Sequence, residues 1–385
     1  MSRSTLKHVS LALAVSAGLA VALPACGSAD EESATAAPAS TAAATTGAGA
    51  ADVEAAKAAV APYIGKPSEF PVTEKLAERP EGASLAFMNG GTPVGSLLWQ
   101  MMQPAGEMLG LKLQQFKAGP ASNVTNAGFD AAIATKPDAM VVAGINVDLW
   151  ASKIPQLREQ GTTIVASAIR DGAKHGLDPV PAGEADDDRS GELMAAYVIA
   201  EMNPEANVAL YDIAELPLSR RVGEAFSAEL KRLCPDCSVR TTHIPAATIG
   251  NTAPNAVVSD LQANPDANVA VFTSDEIQHG LPEALSKAGI EIQTLGFAPD
   301  PTNLQYLKEG KETAVLAYDL PITAWMMVDQ AARQMTGQEI TGPEAKGYGV
   351  IQFLRPEDVT FDPSRGWTGY PDFAERFAEL WGVQG

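Results

Sequence analysis

The sequence predicts an α/β protein built of two doubly wound parallel-sheet lobes joined by a multi-strand hinge. Three observations predict it. Short apolar runs alternate with helical segments from Ala83 to Tyr318, the pattern of parallel strands joined by crossover helices. That stretch is longer than one ordinary open sheet carries, so it divides between two sheets. The most polar interruption, Gly172 to Asp188 with two prolines and three consecutive aspartates, marks the first crossing between lobes.

In chain order, Asp52 to Tyr63 has a short helical pattern and Ile64 to Gly82 is a Pro-rich lead-in. Predicted strands are Ser84 to Met88, Lys112 to Phe116, Ala139 to Ala143, Thr163 to Ser167, Val208 to Tyr211, Val239 to His243, Val269 to Thr273, Gln293 to Phe297 and Ala314 to Tyr318. Each is an apolar or β-branched run bounded by polar or turn-forming residues. Predicted helices lie between them: Leu97 to Leu109, Val124 to Thr135, Leu149 to Gln160, Arg189 to Met202, Ser219 to Leu233, Pro254 to Ala263, Glu276 to Ala288 and Thr302 to Lys308. Val315 to Tyr318 and the helical Ile322 to Met335 read as elements returning to the first lobe, and Gly349 to Leu354 as a last strand of the second. The expected boundaries are 83–185 with 319–341 for the first lobe, and 186–318 with 342–355 for the second. The tail 356–385 carries Trp367, Tyr370, Phe373, Phe377 and Trp381, and so many aromatics imply that it packs on the body.

Ahead of the lobes, Arg3 and Lys7 precede an apolar run from Val9 to Leu23 and then Leu23-Pro24-Ala25-Cys26. A basic start, an apolar run and small residues at a cut site are the parts of an export leader. The run falls short of the roughly 20 apolar residues that span a bilayer. The four residues resemble a bacterial lipoprotein lipobox, Leu-x-Ala/Gly-Cys, with Pro24 at the variable position. That resemblance implies a leader over 1–25, lipidation of Cys26, and a chain held by lipid (a palmitate-type anchor) at the outer face of the cell membrane. An ordinary cleaved leader with an incidental cysteine is the competing reading. Residues 26–51, nearly all Ala, Thr, Ser and Gly, are too poor in apolar side chains to fold and read as a flexible tether.

The chain carries 27 Lys+Arg against 47 Asp+Glu, a net charge of −20, which repels nucleic acid. Cys234-Pro235-Asp236-Cys237 lacks the further ligands of a zinc site. It follows a helical run, whereas a redox pair ordinarily opens a helix. A turn-closing disulfide between Cys234 and Cys237 is the preferred reading, with a redox pair as the alternative. Beyond the leader only His175, His243 and His279 occur, no Gly-x-Ser-x-Gly elbow or Walker A loop is present, and Gly90-Gly91-Thr92-Pro93-Val94-Gly95 lacks dinucleotide spacing. Asp186-Asp187-Asp188 lacks the alternating ligands of a calcium loop and reads as acids at a helix start. No enzyme activity, cofactor or metal is expected.

Binding fits better. In open α/β sheets ligands sit beyond the carboxyl ends of the strands, which here are Asn89 to Thr92, Gly144 to Asn146, Ala168 to Asp171, Asp212 to Glu215, Ser274-Asp275, Ala298 to Asp300 and Tyr318-Asp319. Many of these residues hydrogen-bond, as a polar small-molecule cleft requires.

From Ala83 to Leu354 the chain resembles the type I periplasmic substrate-binding proteins, the ribose-binding-like branch that feeds ABC importers. Gly161-Thr162-Thr163-Ile164-Val165 is similar to the family's fourth strand, Ser219 to Phe226 to its Arg-x-x-Gly helix start, Val271 to Glu276 to its strand ending in Asn-Asp-Glu, and Leu295-Gly296-Phe297 to its Val-Gly-Phe-Asp. The resemblance implies a monomer that captures a small solute, a sugar or polyol first, and delivers it to ABC permease subunits. Membrane contact would run through the N-terminal lipid alone. Much of the family's sugar clamp is replaced: Thr92-Pro93-Val94-Gly95 stands where aromatics sandwich a pyranose, Val222 where an arginine belongs, Ser274 for Asn, and Ala298 for Asp. Asn89, Thr92, Asn146, Arg170, Arg221, Ser274, Asp275, Asp300, Tyr318 and Asp319 are the expected solute-binding residues, the last two lining the hinge. The losses leave open a less hydroxylated, apolar or aromatic solute, and a sensory lipoprotein that transports nothing.

Overall fold

A computed structural model describes residues 51–119, 122–213 and 215–383. The predicted leader, Cys26 and nearly all of the tether lie outside them.

Strands β1 (Ser84–Asn89), β2 (Lys112–Lys117), β3 (Ala139–Ala143) and β4 (Thr163–Ser167) form a parallel sheet in the order β2-β1-β3-β4. β1 and β3 are apolar at nearly every position because helices cover both faces. Leu85, Phe87, Val141 and Val165 pack under α2 (Pro93–Met108) and α10 (Leu320–Met335), while Ala86, Met88, Val142 and Ala166 face α3 (Ser122–Ala134) and α4 (Ile154–Glu159). β2 lies at the edge and is blunted by exposed Lys112, Gln114, Gln115 and Lys117.

The second sheet contains β5 (Asn207–Ile213), β6 (Ser238–Ile244), β7 (Val269–Phe272), β8 (Gln293–Phe297), β9 (Ala314–Tyr318) and β10 (Ile351–Leu354). Their order is β10-β9-β8-β7-β5-β6, parallel except for β10 against β9. One face packs on α1 (Val53–Val60), α5 (Glu184–Tyr197) and α6 (Pro217–Leu233), the other on α7 (Ala253–Ala263) and α8 (Leu281–Ala288). A short helix α9 (Pro301–Lys308) links β8 to β9.

Three expectations need correction. Val315 to Tyr318 does not return to the first sheet: β9 pairs with β8 at Leu295↔Ala314 and with β10, and only α10 crosses back to pack on α2, β3 and β4. Leu149 to Gln160 is not one helix, since two 3-10 turns precede α4, whose first turn holds Pro155. Glu276 to Ala288 is interrupted at Gly280, whose φ of +81° breaks the helix and starts α8.

The lead-in runs along the second sheet, with Ile64 bridging Phe353 and Ser68 N donating to Ile351 O at 2.8 Å, and then buries Phe70, Val72 and Leu76 with α10. The tail closes over the same core through α11 (Phe373–Leu380). Trp381 stacks on Trp325 with centroids 5.5 Å apart, and Phe377 and Tyr370 pack edge-on against Phe70. A Cys234–Cys237 disulfide closes the turn between α6 and β6.

Candidate functional site

Parallel strands put all their carboxyl ends on one rim of each sheet. The two rims meet where the Arg170 guanidinium, after β4, donates to the Pro217 carbonyl at the start of α6. Beside it, Asp171 N donates to Glu184 Oε2 of α5 at 3.0 Å.

Several predicted residues lie on these rims with their side chains partly committed to local structure. Asn89 Oδ1 accepts from Gly91 N at 2.8 Å, and a Cβ on Gly95 would come within 2.7 Å of that oxygen, so glycine is what lets Asn89 fold back. Thr92 caps α2 by accepting from Gly95 N at 3.0 Å, and Asn146 caps a turn by accepting from Asp148 N at 3.1 Å. The Ser274 hydroxyl is within 3.4 Å of Glu276. Asp300 caps α9 through Thr302 N and Asn303 N, and its other oxygen is 2.9 Å from His279 Nε2. Burial pushes the Asp300 carboxyl up, but these partners outweigh it and hold it below its ordinary value; the same contact raises His279. Arg221 grips Asp188 with two nitrogens, at 2.7 and 2.6 Å, and Glu184 with a third at 2.7 Å.

Three predicted residues turn inward instead. Asp275 is fully buried, its Oδ1 accepting from Gln278 Nε2 and its carboxylate lying against Gly296 of β8. Asp319 is fully buried as well: one oxygen caps α10 at Ile322 N, 3.0 Å, and the other accepts from Thr368 Oγ1 at 2.8 Å and Gly369 N at 2.7 Å, so it latches the tail. The Tyr318 hydroxyl lies against Gly349, and burial with the nearby Asp186 charge raises its pKa.

Two features of the site have little or no signal in the sequence. Val94, Leu97 and Val124 are the large apolar side chains left exposed among the described residues, at 54%, 40% and 44%, and all sit near the N-terminal ends of α2 and α3. The replacement of aromatics by Val94 was the only signal for them. The second is Asp187, in the first turn of α5 and 5% exposed. Burial raises its pKa to about 8, helped by the Asp186 charge and opposed by Arg170 and Arg221. Among the described residues no group of three or more His, Cys, Asp or Glu is placed to hold a metal ion.

A pH dependence of stability follows. Burial raises Asp186, Asp187, Asp275, Asp319, Glu312 and Glu344, Asp319 to about 6 and Asp187 to about 8. In the unfolded chain these acids titrate near 4. The folded state therefore binds more protons between pH ~4 and ~8, and stability declines as pH rises through that window. Acids held low by partners, such as Asp138, whose carboxylate accepts from Ser84, act below it. Thermal unfolding should give a higher midpoint at pH 5 than at pH 8; a midpoint that rises over this range would contradict the buried-acid account.

The family described as periplasmic binding protein domain matches residues 85–339. No curated protein matches the chain in sequence. Among solved structures, an ABC transporter periplasmic solute binding protein from Actinobacillus succinogenes 130z with bound D-allose is 18% identical, with a TM-score of 0.62 over 72% of this chain and 99% of that one. GanP, a glucose-galactose binding protein from Geobacillus stearothermophilus, is 15% identical, with a TM-score of 0.62 over 73% and 100% of the two chains. A 5-methylthioribose transporter solute binding protein from Thermotoga lettingae TMO, in complex with 5-methylthioribose, is 15% identical, with a TM-score of 0.61 over 78% and 99%.

Proposed function

The chain belongs to the periplasmic binding protein domain family, type I and ribose-binding-like in fold, and on that premise we propose that it is an extracytoplasmic lipoprotein that captures a small hydroxylated solute between its lobes and delivers it to an ABC permease. The observation that carries this reading is the meeting of two polar strand-end rims at Arg170 and Pro217, with the chain passing between the two sheets after β4, back after β9 and across again after α10. Two lobes so joined can close on a solute by a hinge. Asn89, Thr92, Asn146 and Arg170 would contact it from the first lobe, and Arg221, Ser274 and Asp300 from the second. Asp275, Tyr318 and Asp319 would act from behind, holding the rims and the hinge in place. Lipid on Cys26 would tether the protein to the membrane.

The exposed Val94, Leu97 and Val124 favour one refinement: a solute with an apolar end beside its hydroxyls. The sulfur-bearing sugar in the Thermotoga lettingae neighbour combines both characters. A thermal-shift screen against sugars, polyols, methylthio- and deoxysugars, amino acids and aromatic acids tests the proposal. A solute at 100 times its Kd should add about 2.7 kcal/mol. Protection by hydroxylated solutes supports the proposal, hits confined to aromatic acids or amino acids overturn the solute class, and no protection by any class overturns capture itself.

A further inference from the structure

Besides its passages after β4, β9 and α10, the chain joins the lobes twice more, through the lead-in and the tail, and both segments lie outside the residues 85–339 that match the family. The lead-in starts on the second lobe, where Ala56 and Val60 of α1 are fully buried in its core. It ends on the first, where Phe70, Val72 and Leu76 pack with α10. The tail runs the same way. After β10 its Phe361 carbonyl accepts from Lys308 Nζ of α9 at 3.2 Å, and α11 then packs on Trp325 of α10. The two segments are also tied to each other. Tyr370 Oη donates to Ser68 O at 3.0 Å, its ring meets Phe70 edge-on at 5.2 Å, and Leu76 N donates to Leu380 O at 2.8 Å. A Cβ on Gly369 would lie 2.6 Å from Pro67 Cβ and 3.1 Å from Val350 Cγ1, so the tail touches the lead-in and the approach to β10 at once. Both segments grip the hinge itself. Asp319 accepts from Thr368 Oγ1 and Gly369 N of the tail, while Ser68 Oγ of the lead-in accepts from Ile351 N at 3.0 Å.

One buried apolar cluster contains Phe87 and Val141 of the first sheet, Val315 and Ala317 of the second, Phe70 of the lead-in and Trp381 of the tail. Lobes joined by a small polar interface move freely against each other; a large apolar junction removes that freedom. Close-packed interiors do not deform continuously, so a wide rotation of the lobes has to break this cluster rather than bend it. We propose that the lead-in and the tail form a belt across the hinge that keeps the lobes close to one arrangement when no solute is bound. Solute capture then proceeds by a small rotation of a frame already set, instead of by closure from a wide-open state. The belt rests on packing and backbone ties, so it stands or falls independently of which solute is taken.

The test is pulsed electron–electron double resonance on the full chain with no solute added. Spin labels at Asn123→Cys and Ala247→Cys, exposed positions beyond β2 and β6, report across the two rims. Labels at Asn123→Cys and Glu159→Cys, both on the first lobe, give the width of a rigid pair. Cys26→Ser in every sample leaves only the introduced thiols to label, since Cys234 and Cys237 are joined. The distribution across the rims should be a single peak no wider than the rigid pair. Gly369→Val, which drives a side chain into Pro67 and Val350, and Tyr370→Ala, which removes the tie to Ser68, should each broaden it toward longer distances, with circular dichroism showing both variants folded. Hydrogen exchange on the wild type requires no variant: the amides of Ser68, Ile351 and Gly369 should exchange as slowly as those of β3, through global unfolding. If a variant fails to fold, the wild-type distribution and these exchange rates decide. A broad or two-peaked wild-type distribution, folded variants with the wild-type distribution, or belt amides that exchange faster than β3 would each overturn the belt, and each leaves solute capture standing.

Discussion

Replacing Trp381 with alanine is expected to cost about 3–5 kcal/mol of stability, the range for deleting a large buried aromatic. The indole is 2% exposed, stacks on Trp325 at 5.5 Å with planes 6° apart, and touches Phe377 at 5.2 Å. Its Nε1 donates to Asp329 Oδ1 at 2.6 Å. Asp329 also holds Arg333 Nε at 2.5 Å, and Arg333 in turn donates to Glu74 O of the lead-in at 2.6 Å. One residue of the tail thus ties together α10, the lead-in and α11. Trp381→Phe keeps most of the stacking and loses the hydrogen bond, so it should cost about 1–3 kcal/mol. Urea unfolding monitored by far-UV circular dichroism measures both; a loss below about 1 kcal/mol for Trp381→Ala would mean that the tail is not part of the cooperative fold.

Asp319→Ala is expected to cost about 3 kcal/mol, because it orphans donors that each carry a penalty of about 1–3 kcal/mol when buried without an acceptor. Those donors are Ile322 N, Thr368 Oγ1 and Gly369 N. Asp319→Asn should fall between: its amide oxygen still caps α10, its amide nitrogen faces the Gly369 N–H, and the Thr368 hydroxyl rotates to accept. This experiment also decides the residue's role. Lost stability with solute affinity retained fits the latch. Unchanged stability with affinity abolished would return Asp319 to the solute-binding residues that its place after β9 suggested.

How far the sequence could be read follows from which interactions are local. Ala139–Ala143, Thr163–Ser167, Gln293–Phe297 and Ala314–Tyr318 are strands with the boundaries their apolar runs predict, since burial on both faces of a parallel sheet writes itself into every residue of the strand. β9 read two ways, since the boundary 186–318 put it in the second lobe while Val315 to Tyr318 also read as returning to the first; its partners β8 and β10 lie at very different distances along the chain, and either lobe could accept an apolar strand. Pro155 and Gly280 were visible as residues but not as breaks, since apolar spacing on both sides suggested continuous helices.

The rims were legible as strand ends; the fate of each side chain on them was not. Thr92, Asn146 and Asp300 each also cap a helix or turn, which any Asn, Asp or Thr after a strand can do. Asp186, Asp187 and Asp188 look equivalent in the sequence. On a helix successive residues point about 100° apart, so Asp186 meets Gly349 while Asp188 meets Arg221. Only the orientation of α5 between the lobes distinguishes them.

Capture of a hydroxylated solute between the lobes is decided by calorimetric titration of the purified chain with D-allose, allitol, D-arabinose and 5-methylthioribose. Saturable heat is expected for at least one of them, with one site per chain, and a negative heat-capacity change as the lobes bury surface around it. Flat titrations for all four, at protein concentrations where binding tighter than about 1 mM would register, would contradict it.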